Sequence, residues 1–142
     1  MPIQQLSLFV ENRPGSLSAV CKVLKENNLS IRPLSLADTQ QFGILRLLLK
    51  EHEQAKAALE KAGFIVKETE VLALEVPDCP GGLADILAIL DRHELSVEYM
   101  YAFTFGMDDK AVIVFRFENP AHAVEELKDE PIKLVKASEL FR

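Results

Sequence analysis

The sequence contains one pattern twice, and this repeat constrains the fold more than any other feature. Residues 12–17 read NRPGSL and residues 78–83 read DCPGGL, an offset of 66 residues. Apolar positions on both sides of this loop match at the same offset, which becomes 68 from Gly43 onward. A repeat of this kind indicates two copies of one structural unit. We therefore predict two units, residues 1–68 and residues 69–142.

The composition is that of a globular protein with an acidic balance of charge. Hydrophobic residues make up 49% of the 142 residues, and the formal net charge is −6. No apolar run reaches the roughly 18 residues that cross a membrane, and the N-terminus lacks the regions of a signal peptide. A nucleic-acid partner usually contacts a basic surface. We therefore expect a cytoplasmic protein that binds neither membrane nor nucleic acid.

Each copy has the hydrophobic pattern of strand, helix, strand, strand, helix, strand. This order predicts an α+β fold made of two ferredoxin-like βαββαβ units. The predicted helices follow Gly15 and Gly81, and span residues 51–62 and 119–128. The predicted strands are residues 3–10, 29–37, 42–49, 64–66, 71–76, 95–105, 110–117 and 132–137.

The two Pro-Gly loops are the candidate binding sites. Each loop follows a strand and leads into a helix N-terminus, where free backbone N–H groups and the positive end of the helix dipole favour an anion. Gly15, Gly81 and Gly82 remove side chains where a ligand approaches the backbone. The polar Asn12 and Asp78 are placed to accept a hydrogen bond from an amino group. A carboxylate held by backbone and an ammonium group held by a side chain describe an α-amino acid.

The element order and the motif Asn/Asp-x-Pro-Gly-x-Leu resemble the ACT domain, over nearly the whole chain, as two tandem copies. The resemblance implies an amino-acid-sensing regulatory module. It also implies that the two units lie side by side in one eight-stranded antiparallel sheet with helices on one face. In such domains the ligand lies between the Pro-Gly loop of one unit and the second strand of the other.

The resemblance implies a set of ligand-binding residues in two loops and two facing strands. The loop residues are Asn12, Arg13, Pro14, Gly15, Ser16, Leu17, Asp78, Cys79, Pro80, Gly81, Gly82 and Leu83. The strand residues are Ser30, Ile31, Arg32, Ser96, Val97, Glu98 and Tyr99. Leu17 and Leu83 have a second interpretation as core residues beneath the loops. The acidic Asp78 and Glu98 favour a polar or cationic amino acid, such as histidine.

No catalytic, metal or cofactor site is predicted. His52, His93 and His122 have no partner at a recognised catalytic or metal spacing, and the two cysteines have no metal or disulfide spacing. Cys21, with Leu17, Val20 and Leu24, recurs at helical spacing and is expected in the core. Cys79 is expected to be exposed in the second loop.

Other functions on this fold fit the sequence less well. An acyl-phosphate hydrolase needs a glycine-rich anion cradle around an Arg and an Asn, and Asn12 and Arg13 lack one. An RNA-recognition module needs exposed aromatic residues in basic surroundings. The alternative that stays open is an interaction or assembly module that has kept the fold without binding a ligand.

Two features of the predicted units indicate how the protein assembles and whether it acts on a separate partner. ACT-like units are usually fused to an enzyme or a DNA-binding domain, and the repeats here leave no room for one. We therefore expect the protein to act on a separate partner, an unidentified regulated enzyme. The aromatic row Tyr99, Tyr101 and Phe103, and the helix-free face of the sheet, predict a homodimer that stacks sheet faces.

Overall fold

A computed structural model describes residues 2–31, 34–38, 41–107 and 109–141. The chain divides into two compact units, one built mainly from residues 4–69 and the other mainly from residues 70–140. Each unit has its own hydrophobic core. In the described part of the chain, no helix is long and apolar enough to cross a membrane.

The first unit has the predicted element order. Its elements are β1 (Ile3–Glu11), α1 (Ser16–Glu26), β2 (Leu34–Asp38), β3 (Phe42–Leu47), α2 (His52–Lys61) and the first part of β4 (Val66–Pro77). Strand β3 pairs antiparallel with both β1 and β2. Alternate residues of β1, among them Leu6 and Leu8, are buried against Val20 and Leu24 of α1 and Leu59 of α2. Both helices therefore cover the same face of the sheet.

The second unit repeats this plan with a shorter last strand. Its elements are the rest of β4, α3 (Gly82–Arg92), β5 (Val97–Met107), β6 (Lys110–Phe117), α4 (Pro120–Leu127), β7 (Leu134–Val135) and α5 (Ala137–Leu140). Strand β6 pairs antiparallel with β4 and β5, and β7 pairs with β4. The core joins Leu72, Leu74 and Phe115 of the strands to Leu90 and Leu127 of the helices.

The repeat is present in the local geometry as well as in the residues. Helices α1 and α3 begin and end at positions 66 residues apart. Gly15 and Gly81 precede them in the left-handed region, with φ of +90° and +87°. At the other helix ends, Asn28 and Glu94 both have φ of +55°. The predicted α+β fold with an antiparallel sheet is therefore confirmed.

The number of strands differs from the prediction. Within the described residues there are seven strands instead of eight, because the predicted strands at residues 64–66 and 71–76 form one strand, β4. The strand predicted at residues 132–137 covers only Leu134 and Val135. The short helix α5 follows it, where the Leu140 N–H donates to the carbonyl of Lys136 at 3.0 Å. Pro131, immediately before the predicted strand, has no N–H group with which to extend the backbone hydrogen bonds of the sheet.

The second strand of the first unit begins later than predicted. The prediction placed it at residues 29–37, whereas β2 begins at Leu34. The Leu29 N–H donates to the Leu24 carbonyl at 2.9 Å, and the Leu29 side chain is buried in the core. Leu29 therefore closes the end of α1, as the positive φ of Asn28 requires. Arg32 lies outside the described residues.

The buried face of α1 is narrower than predicted. Val20 and Leu24 are buried, but Leu17 is 37% exposed and Cys21 is exposed. The prediction that Cys21 and Leu17 lie in the core is wrong, because the helix turns the i, i+4 pair Val20 and Leu24 toward the sheet. In the second unit the equivalent Leu83 is half-buried against the core. Cys79 is exposed, as expected.

Replacing Gly82 with alanine is expected to destabilise the second unit. A Cβ at Gly82 would collide with the carbonyl oxygen of Pro77, so the backbone would have to shift. We expect Gly82→Ala to lower the free energy of unfolding by about 1–3 kcal/mol. Ser16, at the equivalent position, already carries a side chain, and Ser16→Ala is expected to change it by less than about 0.5 kcal/mol. Urea unfolding measures both, and equal effects would contradict this account.

Candidate functional site

A pocket of about 500 Å³ lies beside the first Pro-Gly loop. The loop contributes residues 13–16 to its lining. The other lining residues are Phe9, Val10 and Glu11 from β1, Ala19 from α1, and Phe64 ahead of β4. The pocket therefore lies where β1 ends, where α1 begins and where the chain enters β4.

Backbone hydrogen bonds fix the conformation of the first loop, among them the Arg13 N–H to the Glu11 carbonyl at 2.9 Å. The Asn12 N–H donates to the Gln41 carbonyl at 3.1 Å, and the Ser16 N–H donates to the Arg13 carbonyl at 3.3 Å. The Ala19 N–H donates to the Gly15 carbonyl at 3.0 Å, which begins the helix. Gly15 has no side chain with which to cap α1. The first turn of α1 therefore offers backbone N–H groups to an anion.

The first pocket combines two opposite charges with apolar side chains. Arg13 Nε donates to Glu11 Oε2 at 2.9 Å, and both side chains are more than half exposed. Phe9 is 69% exposed, although it is a large apolar residue. Phe64 is half-buried against the core and completes the apolar part. The lining therefore offers the Glu11 carboxylate to an ammonium group, the Arg13 guanidinium to a carboxylate, and apolar surface to an apolar side chain.

A second pocket, of about 750 Å³, lies beside the second Pro-Gly loop. Its lining residues from the strands and from α3 are Glu75, Pro77, Gly82, Asp85, Ile86 and Ile89. Lys110 and residues 130–133 complete it. Like the first, it lies between the end of a strand, the start of a helix and the segment ahead of a last strand.

The two pockets occupy equivalent positions of the repeat. Glu75, Pro77, Gly82 and Asp85 follow Phe9, Glu11, Ser16 and Ala19 by 66 residues, and Ile132 follows Phe64 by 68. The loop hydrogen bonds are equivalent too, because the Asp85 N–H donates to the Gly81 carbonyl at 2.9 Å. One type of site is therefore built twice, with different side chains.

The second pocket carries more charge than the first. Glu75 Oε1 lies 2.9 Å from Lys110 Nζ, and Glu75 Oε2 lies 3.8 Å from Lys133 Nζ. Lys133 Nζ also lies 3.1 Å from Glu139 Oε2. The hydrogen bond from Lys133 and that from the Lys136 backbone lower the pKa of the Glu139 carboxyl below its ordinary value. Ile86, Ile89 and Ile132 supply the apolar part.

Comparisons with known proteins decide the family. Residues 1–142 match the family described as ACT domain pair. The chain belongs to the ACT domain pair family. A solved structure of a Bacteroides thetaiotaomicron protein resembles this ACT pair with a TM-score of 0.92 at 35% identity, over 100% of this chain and 97% of that one. The resemblance to ACT domains indicated by the sequence is thus confirmed.

More distant relatives share the fold. Regulatory subunits of aspartate kinase from Thermus thermophilus and Thermus flavus resemble this ACT pair with TM-scores of 0.62 and 0.64, at 14% and 15% identity. The matches cover 88% and 87% of this chain, and 90% and 86% of theirs. No curated protein matches the chain in sequence.

The predicted loop residues of the ACT pair are only partly brought together. Arg13, Pro14, Gly15 and Ser16 line the first pocket, and Gly82 lines the second. The remaining predicted loop residues are not among the described lining residues of either pocket; they are Asn12, Leu17, Asp78, Cys79, Pro80, Gly81 and Leu83.

The described facing-strand residues of the prediction are not among the lining residues of either pocket. Ser30 and Ser96 are exposed and precede their strands, whereas Ile31 and Val97 pack against the two cores. Arg116 Nε donates to Glu98 Oε1 at 3.2 Å, so Glu98 already has a cationic partner. Tyr99 is half-buried, opposite Arg116 in the ladder.

The sequence analysis did not predict that Phe9, Phe64, Glu75 and Ile132 line the pockets. Phe9 and Glu75 were assigned only to strands, and Phe64 and Ile132 only to strand starts. The signal that was available is the repeat itself. It pairs residues 64 and 132 immediately ahead of each last strand.

His93 links the end of α3 to α4 in the second unit. Its Nδ1 lies 3.2 Å from Glu126 Oε2, and its Nε2 lies 2.9 Å from Glu130 Oε1. Both nitrogens donate only when the ring is protonated. The hydrogen bonds to Glu130 and Glu126 raise the pKa of His93, and the bond from His93 lowers the pKa of Glu130. Among the described residues, no group of His, Cys, Asp or Glu side chains is arranged to hold a metal ion.

These pKa shifts predict a stability maximum at mildly acidic pH. A raised histidine pKa stabilises the fold below the ordinary value of 6.5, and this contribution is lost as pH rises through the folded pKa. The lowered pKa of Glu130 stabilises above its ordinary value of 4.5 and is lost as pH falls through the folded pKa. We therefore expect Tm to fall between about pH 6 and pH 8.

Thermal melts of variants check this prediction. The fall in Tm across that interval is expected to be smaller in His93→Gln than in the wild type. His52→Gln is the matched control, because His52 has a single 3.4 Å contact to Glu68. If both variants keep the same pH dependence as the wild type, His93 is not its source.

Proposed function

We propose that this ACT pair is an amino-acid-binding regulatory protein that acts on a separate partner, and that the first pocket is a ligand site. The observation that carries the proposal is the placement of the Arg13–Glu11 pair at the uncapped N-terminus of α1. The volume of about 500 Å³ lies within the range of small-molecule pockets.

The two charged ends of an amino acid find partners of opposite charge here. The ligand carboxylate accepts hydrogen bonds from first-turn N–H groups of α1 and from Arg13, where the helix dipole adds a positive field. The ligand ammonium group donates to the Glu11 carboxylate. Arg13 and Glu11 lie within 2.9 Å of each other, so they match the short separation of the two ends of an α-amino acid. Asn12 remains a proposed additional acceptor.

The side chain of the ligand faces an apolar wall in the first pocket. Ala19 and Phe64 form that wall, and aromatic side chains contribute large contact areas. This lining favours an apolar or aromatic amino acid. The polar or cationic ligand expected from the sequence, such as histidine, rested on Asp78 and Glu98. Glu98 is paired with Arg116, which weakens that expectation.

A regulatory role on another protein fits the family and its neighbours. The two Thermus proteins that share the fold are, by name, regulatory subunits of aspartate kinase. We propose a role of that kind for this chain, with an enzyme as the partner and without catalytic activity of its own. The cytoplasmic location and the side-by-side arrangement of the two units in one sheet likewise remain predictions.

Ligand binding to the first pocket is tested by thermal shift with each common amino acid. We expect an apolar or aromatic amino acid to raise Tm, and Arg13→Ala to weaken its binding about tenfold or more, through a lost charge-assisted hydrogen bond. Gly15→Val is expected to abolish binding, because φ is +90° and the side chain would occupy the approach to the backbone. Lys22→Ala, on the exposed part of α1, is the matched control.

Two outcomes would contradict the proposal. If no amino acid at millimolar concentration stabilises the folded wild-type protein, the chain is an assembly module instead of a sensor. If Lys22→Ala weakens binding as much as Arg13→Ala, the ligand does not lie in the first pocket.

The assembly module is kept as a second candidate because of one exposed apolar surface. Phe9, Phe42, Ile44 and Ala37 share the helix-free face of the first unit, since Phe9 pairs with Ile44 and Ile44 with Ala37. Phe9 and Phe42 are 69% and 43% exposed. Exposed apolar patches of this kind mark interaction surfaces. A homodimer that stacks these faces therefore remains our proposal.

Light scattering at low micromolar concentration tests the dimer. We expect a mass of twice 15.9 kDa, and we expect Phe42→Lys to shift it toward the monomer by placing a charge on the face. Ile65→Lys is the control, because Ile65 is 84% exposed and lies outside this surface. A wild-type monomer would overturn the dimer proposal without affecting ligand binding.

A further inference from the structure

We propose that His93, Glu126 and Glu130 form a pH-dependent clamp in the second unit, which holds the segment between α4 and β7 against the end of α3 and releases it as pH rises. This linking segment comprises residues 128–133. The clamp assigns a response to pH to one copy of the repeat alone. It does not depend on ligand binding in the first pocket, and it therefore goes beyond the proposed function.

Both ring nitrogens of His93 face a carboxylate oxygen. Nδ1 lies 3.2 Å from Glu126 on α4, and Nε2 lies 2.9 Å from Glu130 in the linking segment. The side chains of His93 and Glu130 are only 22% and 21% exposed. A neutral imidazole has one N–H group and one lone pair, so it can donate to only one of the two oxygens. Only the protonated ring donates to both, and this form therefore suits the observed geometry.

Other charged groups support the clamp without replacing His93. The titratable residues that flank it in sequence or in space are Asp91, Arg92, Glu94, His122, Lys128 and Asp129. Arg92 Nη2 lies 3.2 Å from Glu130 Oε2, and His122 Nε2 lies 3.6 Å from Glu126 Oε1. When His93 loses its proton, one carboxylate faces a nitrogen lone pair, and repulsion replaces a hydrogen bond. The contact between α3 and the linking segment is therefore weakened.

The first unit lacks the ionisable groups of the clamp. The equivalent residues, at the offsets of 66 and 68, are Asn27 for His93, Ala58 for Glu126 and Ala62 for Glu130. The Asn27 side chain donates from Nδ2 to the Val23 carbonyl at 2.8 Å, within its own helix. A proton-dependent contact at this place is therefore particular to the second unit, and the first unit provides an internal control.

The position of the linking segment affects two neighbouring features. Glu130, Pro131 and Ile132 belong to the lining of the second pocket, and Ile132 packs against the core of the unit. The Glu75 N–H donates to the Lys133 carbonyl at 3.0 Å, beside the pairing of β7 with β4. Strand β7 is only two residues long, so few hydrogen bonds hold it. Loss of the clamp therefore loosens a pocket wall and the last strand together.

The direction of the pH response follows from the charges. The hydrogen bonds from Glu130 and Glu126 raise the pKa of His93 above its ordinary value of 6.5. The clamp is therefore complete below pH 6.5, and it is lost as pH rises through the folded pKa of His93. The lowered pKa of Glu130 keeps that carboxylate ionised over the same interval. We expect the change between about pH 6 and pH 8.

Amide hydrogen exchange of the full chain tests the clamp, measured by mass spectrometry at pH 6 and pH 8 and corrected for the intrinsic exchange rate. We expect protection of the linking segment to be about twofold to tenfold lower at pH 8, which is the range of one hydrogen bond's net contribution. Residues 60–65 are the equivalent segment of the first unit, and their protection should not change.

Variants assign the response to His93. His93→Asn, which places the residue of the first unit in the second, is expected to remove the difference between pH 6 and pH 8. Glu130→Gln keeps the shape of its side chain and should reduce that difference. His122→Gln is the matched control, because His122 is 55% exposed and lies 3.6 Å from its carboxylate partner. This control should behave as the wild type does.

Several results would overturn the clamp. These are an equal change in both segments, no change in the linking segment, or a change that persists in His93→Asn. A linking segment without measurable protection at pH 6 would overturn it as well, because no contact would then hold it. None of these results bears on amino-acid binding, which the thermal-shift measurement with Arg13→Ala tests separately.

Discussion

The turn from strand to helix at each Pro-Gly loop is the constraint on which the rest of this structure depends. Gly15 and Gly81 adopt φ near +90°, a conformation that side chains rarely permit, and each precedes a helix that it does not cap with a side chain. The same turn aims the helix so that Val20 or Ile86 meets the sheet. It also leaves first-turn N–H groups beside a pocket. Fold and candidate site therefore have one physical origin.

The repeat allowed the fold to be predicted from the sequence, whereas the pockets could be identified only from the positions of side chains in the structure. The alternation around Leu6 and Leu8 and the Pro-Gly turns indicated strands, helices and the antiparallel order. The second strand was misplaced because Leu29 looks like a strand residue but closes α1 through its hydrogen bond to Leu24. Phe64 and Ile132 were missed because apolar residues ahead of a strand are ordinary in sequence. Only their position beside the loop gives them a possible role.

Duplication allows two sites to diverge without changing the fold. The equivalent positions Ala19 and Asp85 both lie in a first helical turn, where either residue is tolerated. A charged residue there changes the electrostatics of the pocket, because an unmatched charge in a pocket is costly and a matched one is favourable. Glu75 illustrates the same point, since Lys110 and Lys133 accompany it.

The central proposal is that an amino acid binds in the first pocket, beside the Pro-Gly turn at Gly15. The most direct test is a backbone amide NMR titration of the isotope-labelled full chain with phenylalanine. The account predicts that phenylalanine shifts the resonances of Gly15, Ser16 and Phe64. An absence of shifts, or shifts centred on Ser30 and Ser96, would contradict it.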